Sequence, residues 1–199
     1  MRKVTFGGAN SLDNYIARKD DAVDWLMWNN EAAAVMTDYW KTIDTIVMGR
    51  KTYEVALRMG AGGSAYGGMT TYVFSRTAQK SSGKKKIKNL EFISEDAAAF
   101  VRRLKEQEGK DICVMGGGLL AKSLFEADLI DEIGFNIHPV LLGSGIPLFH
   151  EMNHQINLEL IECKQFKNGC LLVSYRVKRS SGKESKTGAT KRRTKGESV

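Results

Sequence analysis

Short apolar runs alternate along the chain with segments whose apolar residues recur at helical spacing. Residues 112–115 form an apolar run that is too short for a buried helix and is bounded by a charge and a glycine. This run therefore predicts a central strand, and Leu119, Leu120 and Leu124 then predict a helix. Similar patterns predict strands at residues 4–9, 45–48, 70–74 and 91–93 and before His138, and helices at about residues 29–40, after Gly49 and at residues 95–108.

Two details of these helices can be predicted from single residues. Ser94 precedes the helix at residues 95–108 and is the residue type that caps a helix start. In the helix at residues 29–40, the side chains expected to form an apolar face are Ala33, Val35, Met36 and Trp40.

The chain closes with a hairpin pattern and a polar tail. Residues 158–166 and 170–178 alternate around Asn168-Gly169, a strong signal for a tight turn. The order β-α-β-α-β-β-α-β-α-β followed by a hairpin predicts an α/β fold with a mostly parallel sheet and an antiparallel C-terminal edge. Residues 1–178 are therefore expected to form one domain, and residues 179–199 a basic, disordered tail.

Charge changes this picture little, because the excess of positive charge is in the tail. The chain has 199 residues and a net charge of +7. From Lys178 onward there are eight Lys or Arg and two Glu, which leaves the rest nearly neutral. Nucleic-acid binding is therefore not expected, except through the tail.

The cysteines and the N-terminus indicate the cellular compartment. Cys113, Cys163 and Cys170 form neither a CxxC pair nor a disulfide framework, which is typical of a reducing environment. The apolar run after Lys3 is interrupted by polar residues, and no run approaches the roughly 18 apolar residues of a membrane span. We expect a cytoplasmic protein without a membrane partner.

Groups that suit phosphate follow three of the predicted strands. Gly49 leads into Arg50, Lys51 and Thr52, and cations at a helix start oppose the helix dipole unless an anion is present. The second group is Ser75, Arg76 and Thr77. The third group is Gly116, Gly117 and Gly118, three consecutive glycines that expose backbone N–H groups at a helix start. Taken singly, each could also be an ordinary solvated turn, but parallel strands bring their carboxyl ends to one edge.

Several stretches resemble the dihydrofolate reductase superfamily, and within it the branch similar to the C-terminal reductase domain of bacterial riboflavin biosynthesis. They follow the family's order from about Val4 to Lys178. The stretches are SLDNYIA at residues 11–17, DWL at 24–26, VMGRKTYE at 47–54, VFSRT at 73–77, VMGGGLLAKSL at 114–124, DLIDEI at 128–133 and PVLLGSGIPLF at 139–149.

The resemblance implies a three-layer α/β/α fold that binds NADPH across the strand ends. It places Ala9 and Ile16 beside the nicotinamide, and phosphates at Gly49, Arg50, Lys51 and Thr52. Ser75, Arg76 and Thr77 would surround the adenosine 2′-phosphate, and the Gly116-Gly117 bond is expected to be cis. The residues implied at the pyrophosphate are Gly116, Gly117, Gly118, Leu119 and Leu120.

Two positions bear on the substrate. In dihydrofolate reductases an acid on the first helix holds the pterin, and Glu31 is the candidate here for a catalytic acid. The family's SLDG has Asn14 in place of glycine, which is expected to alter the loop over the nicotinamide. The resemblance thus implies hydride transfer from NADPH to a C=N or C=O of a small pterin, pyrimidine or related substrate.

Three further hypotheses concern alternatives to this function and its partners. The chain could instead be a catalytically weak nucleotide-binding protein whose basic tail binds nucleic acid or a partner. Homodimerisation through the exposed hairpin edge is expected, because unpaired edges attract strands. His150 to His154 matches HExxH, but Leu158 begins a strand too soon for a long helix, so no metal site is expected.

Overall fold

The computed structural model describes residues 1–60, 68–76 and 87–179. Thr77 and the tail from residue 180 onward lie outside this range. The described residues form β1 Val4–Ser11, β2 Tyr15–Ala17, α1 Asn30–Lys41, β3 Ile43–Gly49, α2 Arg50–Arg58, β4 Thr70–Phe74, β5 Leu90–Ile93, α3 Ala97–Glu106, β6 Asp111–Val114, α4 Gly118–Glu126, β7 Glu132–His138, β8 Ile146–Pro147, β9 Asn157–Gln165 and β10 Leu171–Lys178.

Eight of the described strands form one sheet in the order β5-β4-β3-β6-β1-β7-β10-β9. Neighbouring strands from β5 to β7 are parallel, and β10 is antiparallel to both β7 and β9. β2 and β8 pair separately. The predicted α/β class, with a mostly parallel sheet and an antiparallel hairpin, is confirmed.

Helices cover both faces of this sheet, which gives three layers. On one face, Val4 and Phe6 of β1 pack in the main core cluster with Leu104 of α3 and Leu124 of α4. On the other face, a smaller cluster contains Ile46, Met48 and Cys113, against which side chains of α1 and α2 pack. Because the centre of β3 is buried from both sides, residues 46–48 form a continuous apolar run without alternation.

The last turn of α1 attaches this helix to the sheet. Tyr39 and Trp40 pack against the smaller core cluster, but none of the residues of α1 is buried. The predicted apolar face was wrong for Ala33 and Met36, which are exposed. Tyr39 and Trp40 supply the contact area that Ala33 and Met36 were expected to supply.

The start of α3 also differs from the prediction. Asp96 rather than Ser94 is the N-cap, and its carboxylate accepts a hydrogen bond of 2.8 Å from Ala99 N. Asp and Ser are similarly good caps, so the sequence alone could not choose between them. Lys105 of this helix is buried, and its ammonium group pairs with Asp131 and donates to Leu129 O.

No helix in the described part of the chain has both the length and the apolar composition needed to cross a membrane.

Leu124 should be a measurable anchor of the main core cluster. It is fully buried, whereas Leu119 on the same helix is 65% exposed. Leu124→Ala should lower the free energy of unfolding by about 3 kcal/mol, from lost burial and the residual cavity. Leu119→Ala is the matched control and should cost no more than about 0.5 kcal/mol. Urea unfolding measures both, and equal losses would contradict the assignment of Leu124 to the core.

Candidate functional site

Three of the predicted segments meet where neighbouring parallel strands end. β4, β3 and β6 are adjacent in the sheet, and their last residues lead into Ser75, Arg50 and Gly116. We call this edge, which continues through the ends of β1 and β7, the carboxyl rim. The three groups of phosphate-binding type therefore lie on one side of the molecule.

A direct backbone hydrogen bond joins two of these segments. Gly49 N donates to Gly116 O at 2.8 Å, just beyond the paired part of β3 and β6. Gly49 is also the N-cap of α2, and Gly117 is the N-cap of α4. A Cβ atom on Gly49 would lie 3.5 Å from Gly117 N. The starts of α2 and α4 are thus held side by side.

The four helices of the described residues divide into two kinds by their N-caps. α1 and α3 begin with Asn29 and Asp96, whose side chains accept hydrogen bonds from the first turn. Within the described residues, α2 and α4 have no side-chain cap, and neither has an acidic residue in its first turn. The positive ends of these two helix dipoles remain without a negative partner in the described chain. Two adjacent helix starts of this kind favour an anion.

The glycines are required by close approaches and by backbone conformation. Gly116 has φ +123°, a region that favours glycine, and a Cβ there would lie 3.3 Å from Thr52 Oγ1. A Cβ on Gly118 would lie 2.7 Å from Leu148 O. The Gly116-Gly117 peptide bond is cis, as predicted.

Cationic side chains flank this pair of helix starts. Arg50, Lys51 and Arg76 are all exposed at the rim. Arg50 Nε donates to Glu54 Oε1 at 2.7 Å, one turn further along α2. Ser75 is buried, and its N–H donates to Ile93 O at 2.9 Å, so its backbone fixes the position from which Arg76 extends.

The remaining predicted cofactor residues lie at or near the same rim. Ala9 is near the end of β1 and is paired in register with Asn136 of β7. Ile16 is in β2 and packs against the main core cluster. On the first turn of α4, Leu120 packs against that cluster, whereas Leu119 is exposed and faces solvent.

The loop between β1 and β2 keeps the conformation that a glycine would allow. Asn14 has φ +63°, in the left-handed region that Asn tolerates better than most residues. The Asp13 carboxylate accepts hydrogen bonds from Ser11 Oγ, Leu142 N and Gly143 N. These hydrogen bonds lower the pKa of Asp13. The one from Ser11 has the largest effect, and those from the two backbone amides add to it. The loop is thus tied to the segment after β7, and the alteration expected from Asn14 stays a prediction.

Glu31 lies on the first turn of α1, beside the turn between β9 and β10. Its Oε2 accepts a hydrogen bond of 3.0 Å from Lys167 N, in the turn between β9 and β10. Asn168 in the same turn donates to Met27 O at 3.2 Å. The hairpin turn therefore holds the start of α1, and the catalytic role of Glu31 stays a prediction.

Sequence reasoning missed a buried histidine at the end of β7. His138 Nδ1 accepts a hydrogen bond of 3.1 Å from Met27 N, and its ring lies edge to face with Trp25 at 5.3 Å. Cys170 Sγ lies 3.5 Å from the same Nδ1. On the other side of the ring, Nε2 lies 3.2 Å from Asn136 Nδ2. The feature of the sequence that could have revealed this buried side chain is a histidine at the end of an apolar strand.

The HExxH segment does not form the helix that a zinc site of this type needs. Residues 150–154 are irregular, and the His150 ring packs near Gly118, where a Cβ would meet its Cδ2 at 2.7 Å. In the described part of the chain, no group of three His, Cys, Asp or Glu side chains is arranged to hold a metal ion.

Comparisons with known proteins agree with this geometry. The family model described as RibD C-terminal domain matches residues 2–172. The uncharacterized protein YwjB of Bacillus subtilis (strain 168) is 38% identical over 166 residues, which cover 83% of this chain and 92% of YwjB.

Two solved structures show the same fold. A protein of Shewanella sp. PV-4, provisionally assigned to riboflavin biosynthesis, has a TM-score of 0.76 and 26% identity over 90% of this chain and 100% of its own. Dihydrofolate reductase of Enterococcus faecalis, solved in complex with NADP(H), has a TM-score of 0.61 and 16% identity over 89% of this chain and 97% of its own. The dihydrofolate-reductase-like fold is thereby confirmed.

His138 should make stability depend on pH. Burial lowers the pKa of His138 below its ordinary value of 6.5, so near that pH the unfolded chain takes up a proton that the folded chain does not. The free energy of unfolding should be fully retained above about pH 6.5 and fall as the pH drops below it. His138→Gln should flatten this fall in urea unfolding between about pH 8 and pH 5.

His154→Gln is the matched control, because His154 is exposed. This variant should keep the pH dependence of the wild-type protein. Parallel pH profiles for His138→Gln and the wild-type protein would show that His138 is not the responsible group.

Proposed function

We propose, from the premise that the chain belongs to the RibD C-terminal domain family, that it is an NADPH-dependent reductase. It transfers a hydride to a C=N or C=O carbon of a small pterin, pyrimidine or related heterocycle. The family and the dihydrofolate-reductase-like fold support a reductase.

The observation that carries the proposal is the pair of adjacent helix starts without side-chain caps. α1 and α3 satisfy their first N–H groups with their own side chains, and α2 and α4 do not within the described chain. A pyrophosphate supplies acceptor oxygens and negative charge to both starts at once. The link from Gly49 N to Gly116 O sets their spacing.

The cations around this pair indicate which dinucleotide is bound. Arg50 and Lys51 begin α2, and Arg76 follows the neighbouring strand. A guanidinium group binds a terminal phosphate through charge-assisted hydrogen bonds. A phosphate on the adenosine ribose distinguishes NADPH from NADH, so exposed arginines at this end of the rim favour NADPH. Thr77, which was also predicted to contact this phosphate, lies outside the described residues.

The chain's own residues hold and shield the reactants, and NADPH supplies the hydride. Ala9 borders the nicotinamide with a small side chain at the end of β1, and Ile16 closes it from the loop side. Thr52 lies against Gly116 and positions its hydroxyl at the phosphates. Glu31, held by Lys167 N at 3.0 Å, carries the proton that the reduced substrate requires.

Arg76 should discriminate NADPH from NADH. Arg76→Ala should raise the Kd for NADPH about tenfold or more, since a charge-assisted hydrogen bond is worth about 1.5–3 kcal/mol. The Kd for NADH should not change. Isothermal titration calorimetry at low salt measures both constants.

Arg102→Ala removes the same charge from an exposed position on α3 and is the control. This variant should bind NADPH as the wild-type protein does. If the wild-type protein bound neither nucleotide, or bound both with equal affinity, the cofactor assignment would be wrong. A screen of NADPH oxidation by absorbance, with dihydrofolate, aminopyrimidine ribosides and cyclic imines, then identifies the substrate class.

A further inference from the structure

His150 lies beside the start of α4, at the carboxyl rim. A Cβ on Gly118 would lie 2.7 Å from His150 Cδ2 and 3.0 Å from His150 Nε2. Glycine at position 118 thus makes room for the imidazole. In a helix the Cα–Cβ bond tilts toward the N-terminus, which is also the end at which the first N–H groups are free. The edge of the ring therefore borders the space that an anion at this helix start would occupy.

The imidazole of His150 has hydrogen-bonding capacity that the folded chain does not use. The side chain is half-buried, and neither ring nitrogen has a hydrogen-bond partner among the described residues. The ring of His138, by contrast, accepts a hydrogen bond from Met27 N. An imidazole has at least one N–H donor in either protonation state. His150 therefore brings a free donor to the start of α4.

The backbone on both sides of His150 is held in place. Leu148 is 3% exposed, and its N–H donates to Asn14 O at 2.9 Å. On the other side, Lys122 Nζ of α4 donates to Glu151 O at 2.6 Å. The segment is thereby attached both to the loop between β1 and β2 and to α4 itself. The chain thus fixes the position from which the imidazole extends.

The position of His150 along the rim indicates which part of a dinucleotide it would meet. β4, β3, β6 and β1 follow one another in the sheet, so Arg76, the start of α4 and Ala9 lie along the rim in that order. Phe149, the residue before His150, packs edge to face against Phe6 of β1 at 6.1 Å. His150 therefore lies on the β1 side of the α4 start, which is the nicotinamide side, and away from Arg76.

We propose, taking NADPH as the ligand in accordance with the proposed function, that a ring N–H of His150 donates a hydrogen bond to the phosphate on the nicotinamide side of the pyrophosphate. The backbone N–H groups at the start of α4 bind the pyrophosphate along the helix axis. The imidazole binds it from the side of β1. Arg50 and Lys51 approach from the opposite side, at the start of α2. The first histidine of the HExxH segment is in this way a cofactor-binding residue.

Substitutions at His150 separate a hydrogen bond from packing. His150→Phe keeps a ring beside Gly118 but has no N–H, and it should raise the Kd for NADPH about tenfold or more, because a hydrogen bond to a charged group is lost. His150→Gln keeps an N–H donor and should bind NADPH more tightly than His150→Phe does. Isothermal titration calorimetry measures the constants, and circular dichroism establishes that both variants are folded. An unchanged Kd for His150→Phe, or equal losses in the two variants, would overturn the proposal.

A shorter ligand tests the location of the contact. Adenosine 2′,5′-bisphosphate has the adenosine half of the cofactor with its 2′-phosphate, but it lacks the phosphate on the nicotinamide side. Its Kd should be the same for the wild-type protein and for His150→Phe. Arg76→Ala should instead weaken the binding of the bisphosphate and of NADPH alike. If His150→Phe bound the bisphosphate as poorly as it bound NADPH, the assignment to the nicotinamide-side phosphate would be wrong.

His154→Phe is the matched control, because His154 is exposed in the same segment. This variant should bind NADPH as the wild-type protein does. A wild-type protein that bound no NADPH would contradict the proposed function and the role of His150 together. A wild-type protein that bound NADPH no better than His150→Phe would contradict the role of His150 alone.

Discussion

The hydrogen bond from Gly49 N to Gly116 O is the constraint on which the candidate site depends. It joins β3 and β6 just past their paired residues and thereby brings the starts of α2 and α4 together. Gly116 is the residue that this approach requires, because its φ of +123° favours glycine and a Cβ there would press on Thr52 Oγ1 at 3.3 Å. A Cβ on Gly118 would also meet Leu148 O at 2.7 Å. The glycines thus serve two needs at once, because they expose N–H groups and allow the segments around them to pack.

Much of the fold could be predicted because its signals are local. The apolar run of β3 and the Asn168-Gly169 turn each specify an element from a few adjacent residues, and both elements formed where expected. The start of α3 and the packing of α1 were less predictable. Ser94 and Asp96 are both good caps, and packing of the helix decides which is used. The buried side of a helix likewise depends on where the sheet lies.

The site divides in the same way between local and long-range signals. The cations and glycines at Gly49, Ser75 and Gly116 were recognisable because each follows its own strand directly. The group around His138 was not, since Met27 and Cys170 reach its ring from segments 111 and 32 residues away in sequence. These contacts exist because β10 pairs antiparallel with β7. The first residue of β10 therefore lies beside the end of β7. The sequence predicts the hairpin, and the identity of its neighbouring strand is known from the structure alone.

The start of α1 depends on the C-terminal hairpin, whereas the starts of α2 and α4 depend on the centre of the sheet. Lys167 N and the Asn168 side chain, in the turn between β9 and β10, donate hydrogen bonds to Glu31 and to Met27 O. Met27 N in turn donates to the His138 ring at the end of β7. The starts of α2 and α4 follow β3 and β6, and three strands separate β6 from β9 in the sheet. A change in the hairpin should therefore displace Glu31 and leave the link between Gly49 and Gly116 in place.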